Sequence, residues 1–502
     1  MASDPQLPHH NRTRVLRNVN LQLTRVKIGA SLEPKTDPSV AAGSDQSAQG
    51  RARDEGKSMR RKDAASIAPS NTPLEEVSQL ALRAGEAEDP TTAALRLPKV
   101  GPGFIFTYGL AYFGFFLCLF MPALFSLPYK IQLIDPEAKE TALGLIVGIG
   151  AVVLLPVGPI LGVLSDRSKF AWGRRRPFLL LGLGAFAISA LVIATAPALP
   201  MVLIGYVVAQ CGVALVSVAL NPALAEHVPP AQRGKLGALS GVMASIAGVC
   251  ATLVGSLLIG NILVLFLLPV SVLAVGVLLW ILVVPDGPAP ERFQSAKLTA
   301  ALRSLLFNPL KHRDFSLVWV GKLFIGVGTA FFSTYQLYFL LDRLGFTVQE
   351  AGQQLAVAGG LALLATIGFT VLGGFLSDKL KRRKPFIYVA SAMIASGMVV
   401  AAFAPDFGVY IVGAVLLSAG SGAFNSVDLA LASEVLPDPA AGGKWMSIYQ
   451  VAGTLATAIG PVIAPLLLAI GGESGNYTAL FIVGGVFALG AAITASRVRG
   501  VR

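Results

Sequence analysis

Only 14% of the 502 residues are charged and 54% are hydrophobic, whereas soluble domains carry about a quarter charged residues. With a mean hydropathy of +0.68, this composition excludes an ordinary soluble domain and points to an all-α polytopic membrane protein. The net charge of +12 does not point to nucleic acid. Beyond the first hundred residues the bases sit in short stretches between apolar runs, as topology-setting lysines and arginines do.

Residues 1–100 hold 12 of the 28 acids and 15 of the 40 bases. They are rich in Ser, Ala, Pro, Asp and Arg and too poor in apolar side chains to fold alone, so they read as a disordered cytoplasmic N-terminal tail. No apolar core of a secretory signal follows the early basic residues. The stretch LEEVSQLALRAGEA, Leu74 to Ala87, is a candidate surface helix. Met59, followed by RRKDAAS, is an alternative translation start that would leave residues 1–58 untranslated.

Twelve stretches are apolar and long enough to cross a hydrocarbon core about 30 Å thick. They lie near 104–127, 141–164, 177–195, 201–223, 236–259, 262–284, 315–341, 350–376, 386–403, 407–431, 445–470 and 477–495. The expected organisation is an N-terminal six-helix half at 101–286, a cytoplasmic linker at 287–314 and a C-terminal six-helix half at 315–502. Three cysteines, Cys118, Cys211 and Cys250, fall inside apolar runs without metal or disulfide spacing. Loop bases set the orientation. One side collects twenty-one Lys and Arg, including Arg167, Lys169, Arg174, Arg175, Arg176 and the run Lys379 to Lys384. The other has only Lys130, Lys139 and Arg343. Both termini are therefore expected in the cytoplasm, and the protein in the plasma (cell inner) membrane.

The chain repeats itself. Gly162-Val-Leu-Ser165-Asp166-Arg167 aligns with Gly374-Phe-Leu-Ser377-Asp378-Lys379 at an offset of 212, and Arg176-Pro177-Phe178 with Lys384-Pro385-Phe386 at 208. The first loop is thus four residues longer. NPALAEHVPP, from Asn221, sits opposite DLALASEVLP, from Asp428, at an offset of 207. Two six-helix modules related by an axis along the membrane normal resemble the major facilitator superfamily. Asp166, Arg167, Gly173, Arg174 and Arg175 fall on that superfamily's signature loop between its second and third helices. The interposed SKFAW and the ending GRRRPF resemble the sucrose- and glycoside-transporting branch. In the second copy Lys381 stands where glycine is usual. Glu226 and Arg233, with six residues between them, resemble an element that sugar porters carry after their fourth helix.

The resemblance implies a transporter in which clustered charges latch the two halves on the cytoplasmic side. The members would be Asp166, Arg167, Arg174, Arg175, Glu226, Arg233, Asp378, Arg382 and Arg383. Partly exposed pairs contribute only about 0–1 kcal/mol each, so such a latch needs several. Pure topology with solvated acids explains the same residues.

Two charges lie deeper. Lys322 in the seventh span and Asp428 in the tenth sit at similar depth, and intramembrane ionisable residues are functional by default. In the superfamily the first, fourth, seventh and tenth helices line the cavity, which implies that the two can meet. Asp428 is then the expected proton carrier and Lys322 its partner. Alternatively, Lys322 snorkels to the interface and Asp428 joins the second latch with Arg382 or Arg383. Candidate substrate residues of neutral, aromatic or amide type are Tyr108, Tyr112, Gln210, Tyr335, Gln336 and Asn425. Each also fits interface aromatics or interhelical glue.

The resulting expectation is a secondary transporter moving a small solute with a coupling ion, with proton-driven sugar or glycoside symport favoured, monomeric and surrounded by lipid. A proton-driven efflux antiporter for drugs or metabolites and a non-transporting membrane sensor are the rivals. No phosphate-binding loop, catalytic motif, cofactor or metal site is legible, so an enzyme is not expected. Cysteines placed at Lys169 and Lys381 should react with a membrane-impermeant maleimide from the same face of the membrane. Labelling from opposite faces would end the duplication argument.

Overall fold

The computed structural model describes residues 98–166, 168, 170, 172–286, 308–438, 442–471 and 475–499. Apart from residues 98–100 and 308–314, the expectations for the tail and the linker lie outside the described residues. Among the described residues, twelve membrane-length helices follow in order. They are α1 (Pro102–Ile134), α2 (Lys139–Asp166), α3 (Arg176–Thr195), α4 (Leu199–Leu220), α5 (Pro230–Leu257) and α6 (Ile262–Val283), then α7 (Arg313–Asp342), α8 (Val348–Leu380), α9 (Lys384–Ala402), α10 (Phe407–Glu434), α11 (Gly442–Leu468) and α12 (Tyr477–Arg497). A short helix, Ala223–His227, follows α4, and α1 contains a π-type turn at Pro122–Ser126. Each helix corresponds to one expected span. Several run past the apolar window, because the helical hydrogen-bond ladder continues into polar residues that reach water.

Contacts define two modules. In the first, α1 packs on α5 and α6, α2 on α4, and α3 on α4 and α6. In the second, α7 packs on α11 and α12, α8 on α10, and α9 on α10 and α12. These are the same pairs shifted by six helices, so the repeat read from loop motifs is a repeat of packing. The main contacts between modules are α2 with α11 and α5 with α8, which exchange under the same shift.

The end of the bundle that carries the α2–α3 and α8–α9 loops is its basic end; the opposite end is the far end. At the far end the modules touch closely. A Cβ on Gly144 would run into the Pro461 carbonyl, one on Gly148 into Val462, and one on Gly352 into Ser256. Toward the basic end the same helices part: a Cβ on Gly158 or Gly162 of α2, or on Gly237 or Gly241 of α5, would meet open space. A groove of about 380 Å³ opens there between α2, α4 and α11. The bundle is therefore closed at the far end and open at the basic end.

Proline chemistry helps to fix the far-end contact. Pro465 in α11 has no N–H, which releases the carbonyl of Pro461 from the helical ladder. The Tyr335 hydroxyl of α7 lies 3.2 Å from that oxygen and 3.1 Å from the Glu140 carbonyl of α2. Tyr335, fully buried, thus ties α7 to both helices of the α2–α11 contact. Gly144→Val should prevent this closure. A cysteine at Ser256, buried in the closed form, should then react several-fold faster with a bulky maleimide than it does beside the native glycine.

Candidate functional site

Lys322 and Asp428 meet. Lys322 Nζ lies 3.0 Å from Asp428 Oδ2, joining α7 to α10. Asp428 is 6% exposed. Its other oxygen, Oδ1, accepts a hydrogen bond from the Tyr449 hydroxyl of α11. The Lys322 ammonium stands 4.2 Å over the centre of the Tyr449 ring and donates to Gln450 Oε1 at 3.0 Å. The ion pair thus has a phenol hydroxyl on the acid and an aromatic face plus an amide oxygen on the base. A buried charge pair needs such extra bonds to offset desolvation. Gln450 also lines the basic-end groove, with Ser217, Asn221, Ser447 and Thr454. The acid is buried, and its partner reaches toward the open side.

The first module holds the corresponding position without charge. Ala111 of α1 packs closely on Gly276 of α6, as Gly321 of α7 packs on Ala491 of α12. The next residue in each case turns toward the fourth helix of its module. Tyr112 donates to Asn221 Oδ1 at 3.3 Å, where Lys322 pairs with Asp428. One module presents a neutral hydrogen bond and the other an ion pair.

At the basic end each module builds its own charge cluster. Arg174 and Arg175 both bond Glu226 Oε1, Arg175 at 2.8 Å. Arg175 also donates to Ser165 Oγ at 2.7 Å and to the Val218 carbonyl at 3.0 Å. In the second module Arg383 donates to Ser377 Oγ at 2.8 Å, Asp378 at 2.7 Å and Glu434 at 3.3 Å. Arginine, serine and glutamate recur in the same arrangement. Arg233 does not pair with Glu226: it donates to the carbonyls of Val228 and Ala225 at 2.9 and 3.0 Å. Arg382 is exposed. Asp166 closes α2, but its side chain and Arg167 lie outside the described residues. Lys381 has φ of 50°, so the backbone keeps the left-handed conformation that glycine favours although the residue is lysine.

The neutral candidates divide. Tyr108, 1% exposed, packs between Tyr112 and Trp280 with ring centres at 4.6 and 6.1 Å. Tyr112 and Tyr335 have the partners given above, and Gln210 is buried in α4. These four are packed between helices. Asn425 is exposed on α10. Gln336 lines a second cavity of about 320 Å³ between α5, α7, α8 and α10, with Ser245, Thr252, Thr329, Ser333 and Tyr410.

Sequence reasoning missed several residues. Asp286, just past α6, accepts the backbone N–H groups of Arg175 and Arg176 at 2.8 and 3.0 Å, so a carboxylate stabilises the positive N-terminus of α3. Gly173, with φ of 116°, lies so close to Asp286 that a Cβ would collide with it. Tyr449 and Gln450 were hidden in a span that reads as generic packing. Of the far-end group Lys139, Glu140, Asp342 and Tyr477, sequence reasoning noted only Lys139, as a sparse loop base.

A model of the Major Facilitator Superfamily matches residues 104–368 and 344–501. The chain belongs to that superfamily. No curated protein matches the sequence. Solved members of the fold align over most of their length at low identity. The nucleoside transporter NupG has a TM-score of 0.61 at 13% identity, covering 79% of this chain and 98% of that one. The peptide transporter POT, in complex with sulfate, gives 0.64 at 14%, covering 82% and 98%. The xylose transporter XylE from E. coli, in a partially occluded inward-open conformation, gives 0.56 at 17%, covering 78% and 96%. At these identities the likeness establishes the fold; membership of the superfamily, and with it a multi-pass transporter, rests on the family match.

In this superfamily member the ion pair supplies a direct stability test. Lys322→Ala alone strands the buried Asp428 carboxylate and should cost about 3–5 kcal/mol, Asp428→Ala should cost less because Lys322 keeps Gln450 at the groove, and the double variant should recover most of the first loss. Melting temperatures of the purified protein read all three results.

Proposed function

We propose that the protein is a proton-coupled secondary transporter of the plasma membrane that works by alternating access, with its basic end and both termini in the cytoplasm. The observation that carries this reading is the Lys322–Asp428 pair, sealed by Tyr449 and joined through Gln450 to the open groove. Protonating the Asp428 carboxylate removes its attraction for the ammonium, and Lys322 keeps Gln450 as its acceptor. Proton binding therefore moves a cation toward the groove, and a solute or a helix movement there feeds back on the proton. Such reciprocity is what coupling requires.

On this reading the bundle is open to the cytoplasm, and the Arg175–Glu226 and Arg383–Glu434 clusters are latch halves held within their own modules. The orientation rests on the twenty-one loop bases that the sequence assigns to one side of the membrane against three on the other.

For the solute, the loop motifs favour a sugar or glycoside taken up by symport. The cavity between α5, α7, α8 and α10 agrees, since its polar side chains are hydroxyls and the Gln336 amide. Solved relatives are described as carriers of nucleosides, xylose and peptides, so the fold alone does not choose among solutes. The transporter acts as a monomer in lipid and draws energy from the ion gradient.

Asp428→Asn should abolish proton-driven accumulation of labelled sucrose or glucoside in proteoliposomes while leaving solute exchange intact. Unchanged accumulation would remove Asp428 from the coupling step. Extrusion from cells in place of uptake, measured with everted vesicles, would replace the symporter with an efflux antiporter.

A further inference from the structure

The far-end contact holds a second charged group, independent of Asp428. Lys139 Nζ of α2 lies 2.5 Å from Asp342 Oδ1 of α7, an ion pair between the two modules. The Tyr477 hydroxyl of α12 lies 2.6 Å from Asp342 Oδ2 and 3.3 Å from Glu140 Oε1. Lys139 and Glu140 are each 9% exposed. Among the described residues, the charged and titratable groups around Glu140 are Lys139 on its own helix, Asp342, Tyr335 and Tyr338 on α7, and Tyr477 on α12. Lys130 of α1 donates elsewhere, to the Ala194 carbonyl at 3.0 Å.

One ammonium faces two carboxylates, and the ammonium is matched to Asp342, which is partly exposed. The Tyr477 hydroxyl is shared between the two acids, with the shorter contact to Asp342. An ionised Glu140 would be a surplus negative charge on a buried side chain, which is costly. When the far end opens, α2 leaves α7 and α12, water reaches Glu140, and that cost vanishes.

We propose that Glu140 is a proton-binding site of the far-end gate, loaded when the two modules close there and emptied when they part. The sign follows from linkage. Closing takes up a proton, so lowering the pH favours the closed far end. The closed-to-open ratio changes by up to about tenfold per pH unit while the two states differ by one proton. This site faces the opposite end from the Asp428 cluster and does not depend on the reading of that cluster.

The test uses the full chain in lipid nanodiscs, with the three native cysteines replaced by alanine. Spin labels are attached at Glu137→Cys and Gln349→Cys, both exposed at the far end on opposite modules. Distance distributions are recorded from about pH 5 to about pH 8, the range in which a one-proton linkage is read. The short-distance population should grow on acidification in the wild type and in an Asp428→Asn background. In Glu140→Gln, whose amide donates to Tyr477 without titrating, the closed population should stay high and lose its pH dependence. Tyr477→Phe should lower the closed population at every pH. The proposal is overturned if Glu140→Gln titrates like the wild type, if the wild type shows no pH response, or if the response disappears with Asp428→Asn alone.

Discussion

Inside a hydrocarbon layer a polar group has no water to turn to, so its own helix or a neighbouring one must supply its partner. That constraint organises the bundle. The carbonyl released by Pro465 finds Tyr335. The Arg175 guanidinium is spread over a serine, a backbone carbonyl and a glutamate. Asp428 is held by lysine and tyrosine from two different helices. Because partners come from separate helices, each bond also reports how those helices stand relative to one another. Chemistry at one site and geometry of the bundle are then the same variable.

The duplication sharpens this point. Both modules use the same helix contacts and the same arginine–serine–glutamate arrangement at the basic end. They differ where α1 and α7 face the fourth helix of their module: tyrosine with asparagine in one, lysine with aspartate in the other. The first is a hydrogen bond between neutral groups, whereas the second is an attraction between charges that protonation of the acid would remove.

Much of the architecture was legible because membrane insertion writes it in long apolar runs, and the repeated loops gave the register. Lys322 and Asp428 stood out because a charge in an apolar run has few bland explanations. Side-chain facing was harder. Tyr108, Tyr112 and Tyr335 look like sugar-stacking aromatics in sequence, yet each is buried against other helices; a span that is apolar all round does not show which face turns to a cavity. Tyr449, Gln450 and Asp286 were invisible because their importance comes from partners on other helices. Lys139, Glu140 and Asp342 sit at helix ends, where charge is ordinary, and only the docking of the modules makes them a group.

The shared hydroxyl of Tyr335 has a consequence for the energetics of rocking. Its two acceptors belong to different modules: Pro461 travels with α7, and Glu140 does not. If the modules separate, the hydroxyl loses the Glu140 oxygen, which remains inside the α2 ladder, and gives its undivided bond to the Pro461 oxygen, which has no ladder partner. No backbone group is orphaned in either position. A hinge that conserves its hydrogen bonds in this way can swing with little enthalpic penalty from its own backbone, leaving side-chain protonation and solute to decide which position is occupied.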